Sequence, residues 1–241
     1  MFKKIKKYII IILKYFDIGI TRYSRLKKLS ISENASYDIE FLLTLPSSKV
    51  SMVLKYLRKS RSQIRQDLFV LSQLNFKRDG FFVEFGATDG IDLSNTYLLE
   101  KEFSWTGILA EPAKSWHKDL KNNRNANIET RCVWKDSTST LTFNETNIKG
   151  LSTINEYSDL DNWKNERLLG KKYEVKTISL NKLLDDNNAP KYIDYLSIDT
   201  EGSEFEILSN FDFSKYSFKV ITCEHNFTPQ RKKIFDLLSE K

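Results

Sequence analysis

Cysteine is scarce in this 241-residue chain: Cys132 and Cys223 are its only two. So few thiols build no disulfide framework and show no metal-ligand spacing. Both fall in apolar, strand-like runs, which reads as buried structural thiols and permits a reducing compartment without requiring one. Histidine is equally scarce, with only His117 and His225. No His, Asp and Glu spacing makes a strong metal site, so no metal is expected; Asp199, Glu224 and His225 are the one set that folding could bring together. A long hydrophobic run is also missing. The apolar stretch from Tyr8 to Leu13 is too short to span a bilayer, and Lys14 and Asp17 interrupt its continuation. No small-residue cleavage site follows it, which argues against a signal peptide. There are no internal repeats and nothing resembling a nucleic-acid-binding motif, so no nucleic-acid partner is expected.

What the chain does have is a globular composition, 40% hydrophobic and 13% aromatic. Its length suits one α/β domain with a sizeable core and an extension. The net charge of +6 is unevenly placed. Residues 1–30 carry nine Lys or Arg against one acid, Asp17, a net of +8, which leaves −2 for the other 211 residues. In that tail Phe2, Ile5, Ile9, Ile12 and Phe16 recur at helical spacing, with Lys3, Lys7 and Lys14 off the stripe. One reading is a basic amphipathic helix lying on an anionic membrane surface, which makes the protein cytoplasmic and peripheral. The other is an ordinary helix packed on the domain with a solvated lysine face. Residues 31–61 read as a helical connector, broken at Pro46-Ser47-Ser48, and residues 62–241 as the main domain.

The most informative stretch is Gly80-Phe81-Phe82-Val83-Glu84-Phe85-Gly86-Ala87-Thr88-Asp89-Gly90. An apolar run broken only by Glu84 reads as a buried parallel strand. It ends in a small-residue turn before a helical stretch, Asn95 to Phe103. Such a turn leaves backbone N–H groups for a ligand, and a Cβ at Gly86 would hold that ligand off the backbone. A nucleoside-type cofactor fits there. Further strands are expected at Thr106–Ala110, Ile128–Trp134, Tyr192–Ile198 and Lys219–Cys223, with a short extra one at Thr140–Phe143. Helices are expected at Ser62–Asn75 (Ile64, Leu68, Leu71 and Leu74 on one side), Ser115–Asn123, Ser203–Ser209 and Arg231–Glu240. Gly150 to Gly170 reads as polar and irregular. The alternation argues for a parallel sheet with helices on both faces.

Glu111, Asp199 and Glu224 fall just past the C-terminal ends of these strands, where open parallel sheets bind ligands. Glu111 is placed to accept two hydrogen bonds from ribose hydroxyls, which serves NAD or S-adenosylmethionine equally; its plainer role is a charge at the next helix N-terminus. Asp199 faces the reactive end and is a candidate base, or an N-cap for the Ser203 helix. His225 sits at the same rim and is a second candidate base. His117 reads as a surface residue.

Several of these stretches, in order, resemble the FkbM-type S-adenosylmethionine-dependent methyltransferases. They are Ser62-Gln63 with Gln66-Asp67-Leu68-Phe69-Val70, then Gly80 to Gly90, Ser94 to Lys101, Trp105 to Ile108 and Glu111-Pro112. Ile198-Asp199-Thr200-Glu201-Gly202-Ser203-Glu204 and Val220 to Asn226 complete the match, which covers roughly residues 62–238. The resemblance implies a class I, Rossmann-like methyltransferase fold and methyl transfer to an oxygen of a sugar, glycan or small molecule. It implies that Gly86, Ala87, Asp89 and Gly90 line the methionine part, that Glu111 holds the ribose, and that Val133 and Asp136 lie near the adenine. It also puts Glu84, Asn95 and Pro112 among the cofactor-contacting residues, and Asp199 near the transferred methyl. Similar chains continue through two more strands, so the sheet is expected to lack its final edge. Trp134 stands where the family tends to have a small residue. Two other readings compete: a non-catalytic, membrane-associated nucleoside-binding protein, and an NAD-dependent oxidoreductase. Against the latter, the turn lacks Gly-x-Gly-x-x-Gly spacing.

Overall fold

The computed structural model describes residues 35–148, 150–159, 163–226 and 228–241. The amphipathic stripe and basic cluster of residues 1–30 lie outside them. The chain divides into two units, Met1–Ser47 and Ser48–Lys241. In the first, residues 35–44 are helical, and Thr44 Oγ1 donates to Phe41 O at 2.7 Å.

The second unit carries the sheet. Its elements in order are α1 (Ser47–Tyr56), α2 (Gln66–Gln73), β1 (Phe81–Phe85), α3 (Tyr97–Phe103), β2 (Thr106–Ala110), α4 (His117–Asn123), β3 (Asn127–Glu129) and β4 (Cys132–Trp134). There follow β5 (Thr140–Glu145), β6 (Thr153–Ile154), a 3₁₀ turn (Asn155–Tyr157), α5 (Lys164–Arg167), β7 (Lys171–Ser179), α6 (Leu180–Asp186), β8 (Tyr192–Ile198), α7 (Glu204–Ser209), β9 (Ser217–Cys223) and α8 (Gln230–Ser239). Five strands form a parallel sheet in the order β3-β2-β1-β8-β9. This is the parallel α/β sheet expected from the alternation and the Rossmann-like fold that the resemblance implied. Val83, Phe85, Ile108, Leu196 and Ile198 are buried in one core with Leu183, Ile207 and Leu208 from α6 and α7. Strands covered on both faces have no use for polar alternation, which is why β1, β2 and β8 read as continuous apolar runs.

Four expectations change. The single strand over Ile128–Trp134 is two strands in two different sheets. Between them Arg131 turns back on Glu129: its N–H and Nε donate to Glu129 Oε1 at 2.8 and 2.9 Å, and Nη2 lies 2.7 Å from Oε2. Such a local side-chain and backbone clasp competes with strand continuation. Second, the polar stretch around Gly150–Gly170 is not simply irregular. β6, the 3₁₀ turn and α5 lie in it, and β6 joins a second sheet of order β4-β7-β5-β6. That sheet covers a second core of Ala113, Cys132, Trp134, Phe143, Ile154 and Val175. Trp134 is buried here, edge-on to Tyr157 with ring centroids 6.2 Å apart. Third, α2 spans only Gln66–Gln73, because Arg65 takes a left-handed φ of 67°; Ile64 is therefore 62% exposed, off the buried side. Fourth, α3 starts at Tyr97. Ser94 Oγ accepts the Tyr97 N–H at 3.1 Å, so Asn95 precedes the helix.

Cys132 is buried, but Cys223 is only half-buried. Among the described residues no helix is long and apolar enough to cross a membrane.

Candidate active site

The C-terminal ends of β1, β2, β8 and β9 open onto one cavity of about 230 Å³. Each strand delivers a residue to it by its register. β1 ends at Phe85, paired with Ala110 of β2, so Gly86 and Glu111 emerge side by side. β8 ends at Ile198, paired with Cys223 of β9, so Asp199 and Glu224 emerge side by side. The second sheet supplies Cys132, Val133, Phe143 and Ile154, and the segments on either side of β6 supply Leu151 and Trp163.

Gly86 has a φ of +75°, and a Cβ on it would lie 2.1 Å from the Asp199 carbonyl oxygen. Its smallness lets β1 and β8 close up beneath the cavity, so a protein neighbour, rather than a ligand, already demands glycine there.

Glu111 is 4% exposed. Its Oε2 accepts the Thr88 N–H and its Oε1 the Ala113 N–H, both at 2.8 Å. A carboxylate offers about four acceptor positions, so these two bonds leave one on each oxygen. Burial pushes its pKa up to about 7, only partly offset by those N–H groups. His117 is half-buried rather than a free surface residue: its Nε2 lies 2.8 Å from the Glu111 carbonyl oxygen.

Asp199, Glu201 and Glu224 each have an oxygen within 4.8 Å of the others. Burial raises the pKa of both Asp199 and Glu224, and Glu224 is driven further by the charge of Asp199 beside it. Two enclosed carboxyls this close share a proton. Glu224 holds it, and its hydrogen bond favours the ionised form of Asp199. Glu201 is handled differently: its Oε2 accepts from Arg167 Nη2 at 2.8 Å, and the Arg167 side chain is fully buried.

Glu84 also lines the cavity, but three of its acceptor positions are used within the protein. Oε1 accepts the Asn95 N–H at 2.6 Å, Oε2 accepts Ser94 Oγ at 3.0 Å and Thr96 Oγ1, and Arg124 Nη1 is 3.8 Å away. It fastens the approach to α3. Asn95 is 5% exposed; its Nδ2 donates to Ser197 Oγ at 2.9 Å, while its Oδ1 is buried without a hydrogen-bond partner.

Of the candidate residues, Glu84, Gly86, Asn95, Glu111, Pro112, Val133 and Asp199 line the cavity; Ala87, Asp89, Gly90, Asp136 and His225 do not. Asp89 Oδ1 accepts the Ile91 and Asp92 N–H groups, both at 2.9 Å, and shapes the turn. At Gly90 a Cβ would meet Arg124 Cγ at 2.6 Å, so that glycine serves packing on α4. Asp136 folds the turn after β4, accepting the Thr138 and Ser139 N–H groups at 2.9 and 2.8 Å, which hold its pKa near 2. His225 faces a neighbouring cavity of about 270 Å³ that shares Glu201, Glu224 and Asn226 with the first. The sequence reading did not find Arg167. A single arginine in a polar stretch carries no mark of burial.

A profile of the methyltransferase FkbM domain matches residues 84–240. The chain belongs to the FkbM methyltransferase family. The matched stretch runs from the last two residues of β1 through α8 and therefore takes in the four strand ends that build the cavity. The Ser62–Asp67 segment precedes it. No curated protein and no solved structure matches the chain. As an FkbM methyltransferase the protein requires a methyl donor, and the acceptor positions left on Glu111 and Asn95 Oδ1 are compatible with one carrying hydroxyl and ammonium donors.

Proposed function

We propose that this protein is an S-adenosylmethionine-dependent O-methyltransferase whose acceptor is a hydroxyl of a sugar, glycan or small molecule. The observation that carries the reading is the charge of the cavity. Of the five carboxyl groups that line it, Glu224 holds a proton, Glu201 is paired with Arg167 and Glu84 lies beside Arg124, so Asp199 and Glu111 carry its unpaired negative charge, and no Lys or Arg lines it among the described residues. An anionic dinucleotide would meet repulsion there, whereas a sulfonium with an ammonium group is attracted.

When bound, S-adenosylmethionine supplies an electrophilic methyl group on a cationic sulfur. Glu111 accepts the ribose hydroxyls. Val133 and Cys132 give the apolar wall for the base; burial pushes the Cys132 thiol up to about 12, so it stays protonated. Asp199, ionised with Glu224 protonated against it, takes the proton of the acceptor hydroxyl. The neighbouring cavity, lined by His225 and sharing Glu201, Glu224 and Asn226 with the first, offers room for the rest of the acceptor. We carry the basic residues 1–30 as a peripheral anchor on an anionic membrane surface.

Titration calorimetry with S-adenosylmethionine and with NADH tests the reading. Micromolar binding of the first and none of the second is expected. Failure of the folded protein to bind S-adenosylmethionine overturns it.

A further inference from the structure

Arg167, the last residue of α5, lines neither cavity, and its side chain is fully buried. Its Nε donates to Leu151 O and its Nη2 to Glu201 Oε2, both at 2.8 Å, while Asn144 Nδ2 of β5 donates to the Arg167 carbonyl at 3.0 Å. The guanidinium is thus anchored by the covering segment and aimed at Glu201. Glu201 has a left-handed backbone, with a φ of 58°, which a non-glycine residue keeps only where its surroundings hold it. Three bonds hold it here. Oε2 accepts Arg167 Nη2 and also Asn226 Nδ2 at 3.3 Å, and the Glu201 carbonyl accepts Thr153 Oγ1 at 2.9 Å. They come from α5, from the chain after β9 and from β6, and they fix the loop that begins with Asp199.

We propose that Arg167 is a positioning residue for the transfer step: acting through Glu201, it fixes the loop that presents Asp199 and cancels the charge that would otherwise compete with Asp199 for the ionised state. This rests on the reading of Asp199 as the base. Asp199, Glu201 and Glu224 have oxygens within 4.8 Å of one another. Burial, and then the charges of Asp199 and Glu201, drive Glu224 to hold a proton. With that proton on Glu224 and Arg167 on Glu201, one negative charge remains for the three, and it belongs to Asp199. The surroundings do not supply the balance themselves. Glu204 of α7 and Glu84 of β1 both push against the ionised form of Asp199, Glu111 after β2 repels it, and Arg124 lies 3.8 Å from Glu84 rather than on this loop. Burial keeps the Cys223 thiol of β9 protonated, and His225 follows Glu224 at the second cavity. Without the guanidinium the three acids would draw in a further proton, which blocks a carboxylate that has to accept one.

Carbon-13 NMR of the full chain, labelled at the aspartate carboxyls, reads this without an acceptor; the Asp199 signal is the one that Asp199→Asn removes. Its titration midpoint should rise by about one pH unit in Arg167→Gln, a tenfold change in proton affinity. It should return toward wild type in Arg167→Lys, which restores the cation. It should fall in Glu201→Gln, where the guanidinium keeps its charge and loses its partner. A residue that only packs the covering segment moves none of these midpoints. If Arg167→Gln does not fold, Glu201→Gln decides alone. An unmoved midpoint in Glu201→Gln, or one that rises as much in Arg167→Lys as in Arg167→Gln, overturns the proposal. Calorimetry of the wild type with S-adenosylmethionine separates this from the reading beneath it. Binding together with unmoved midpoints overturns the part given to Arg167 alone, whereas a folded wild type that binds none overturns the transfer step and the proposal with it.

Discussion

Arg167 Nη2 and Glu201 Oε2 meet at 2.8 Å, with the arginine side chain fully buried and the glutamate's 9% exposed. The pair joins the segment between β5 and β7 to the loop that follows β8. Arg167 Nε also donates to Leu151 O at 2.8 Å, and Thr153 Oγ1 donates to Glu201 O at 2.9 Å. The covering segment is therefore tied to the same loop that presents Asp199.

Arg167→Met should cost about 3–5 kcal/mol of stability, because it strands a buried carboxylate. Adding Glu201→Gln should recover much of that loss, since the charge goes with its partner. Urea denaturation of the single and double variants measures this. A double variant no more stable than the single one would show that Arg167 acts through its other contacts instead.

What the sequence made legible follows from the physics of burial. β1, β2 and β8 are enclosed on both faces and show as apolar runs, and strand-end position alone picked out Glu111, Asp199 and Glu224 at the rim. The second sheet was legible only in part: β5 was expected at Thr140–Phe143 and β4 as the end of the Ile128–Trp134 run, but not that they join β6 and β7 in a sheet of their own. β7 alternates through Lys171, Lys172, Glu174 and Lys176, and only Val175, Thr177 and Ile178 are buried. Its strands are recognisable by their pairing, which no local pattern states. The cavity wall built from Phe143, Leu151 and Ile154 was hidden for that reason. Glu84 shows the opposite limit: its place in a strand is plain, but that its oxygens bond to residues 94–96 depends on a contact about ten residues on.

Glu111 should make cofactor binding depend on pH. Its folded pKa of about 7 lies above the usual 4.5. The native state thus holds the proton more tightly, and stability from this group is full below about 4.5 and lost as pH rises through 7, by about 3 kcal/mol in all. Ribose hydroxyls donate, so they favour the ionised form and bind better as it appears. S-adenosylhomocysteine affinity should rise between pH 5.5 and 8 in wild type. In Glu111→Gln the rise should be shallower and the affinity at pH 8 lower by about 1–3 kcal/mol. Identical pH curves for the two proteins would remove Glu111 from the ribose site.

Asp199 and Glu224 should separate in their effects. Asp199→Asn should keep cofactor affinity and lower methyl transfer by roughly 10²-fold or more. Glu224→Gln keeps a donor against Asp199 and should be mild. Glu224→Ala removes it, so the Asp199 pKa should rise and the acid limb of the rate profile should move to higher pH. Rate profiles of the three variants, measured with the best acceptor found by screening, decide the matter. If Asp199→Asn turns over within a few-fold of wild type, the base lies elsewhere.

The last prediction concerns residues 1–30, whose net charge is +8. An apolar stripe and a basic face act together at an anionic surface: each Lys or Arg near it contributes about 1 kcal/mol, and salt at 0.1 M shortens the reach to roughly 10 Å. The protein should sediment with vesicles rich in anionic lipid, bind neutral vesicles less, and come off as salt rises. Removing residues 1–30 should abolish sedimentation and leave S-adenosylmethionine affinity unchanged, because the lining of the cavity begins at Gln63. Equal sedimentation of the two proteins would show that the tail is no anchor. Loss of cooperative unfolding in the shortened protein would instead assign the apolar stripe to packing on the rest of the chain.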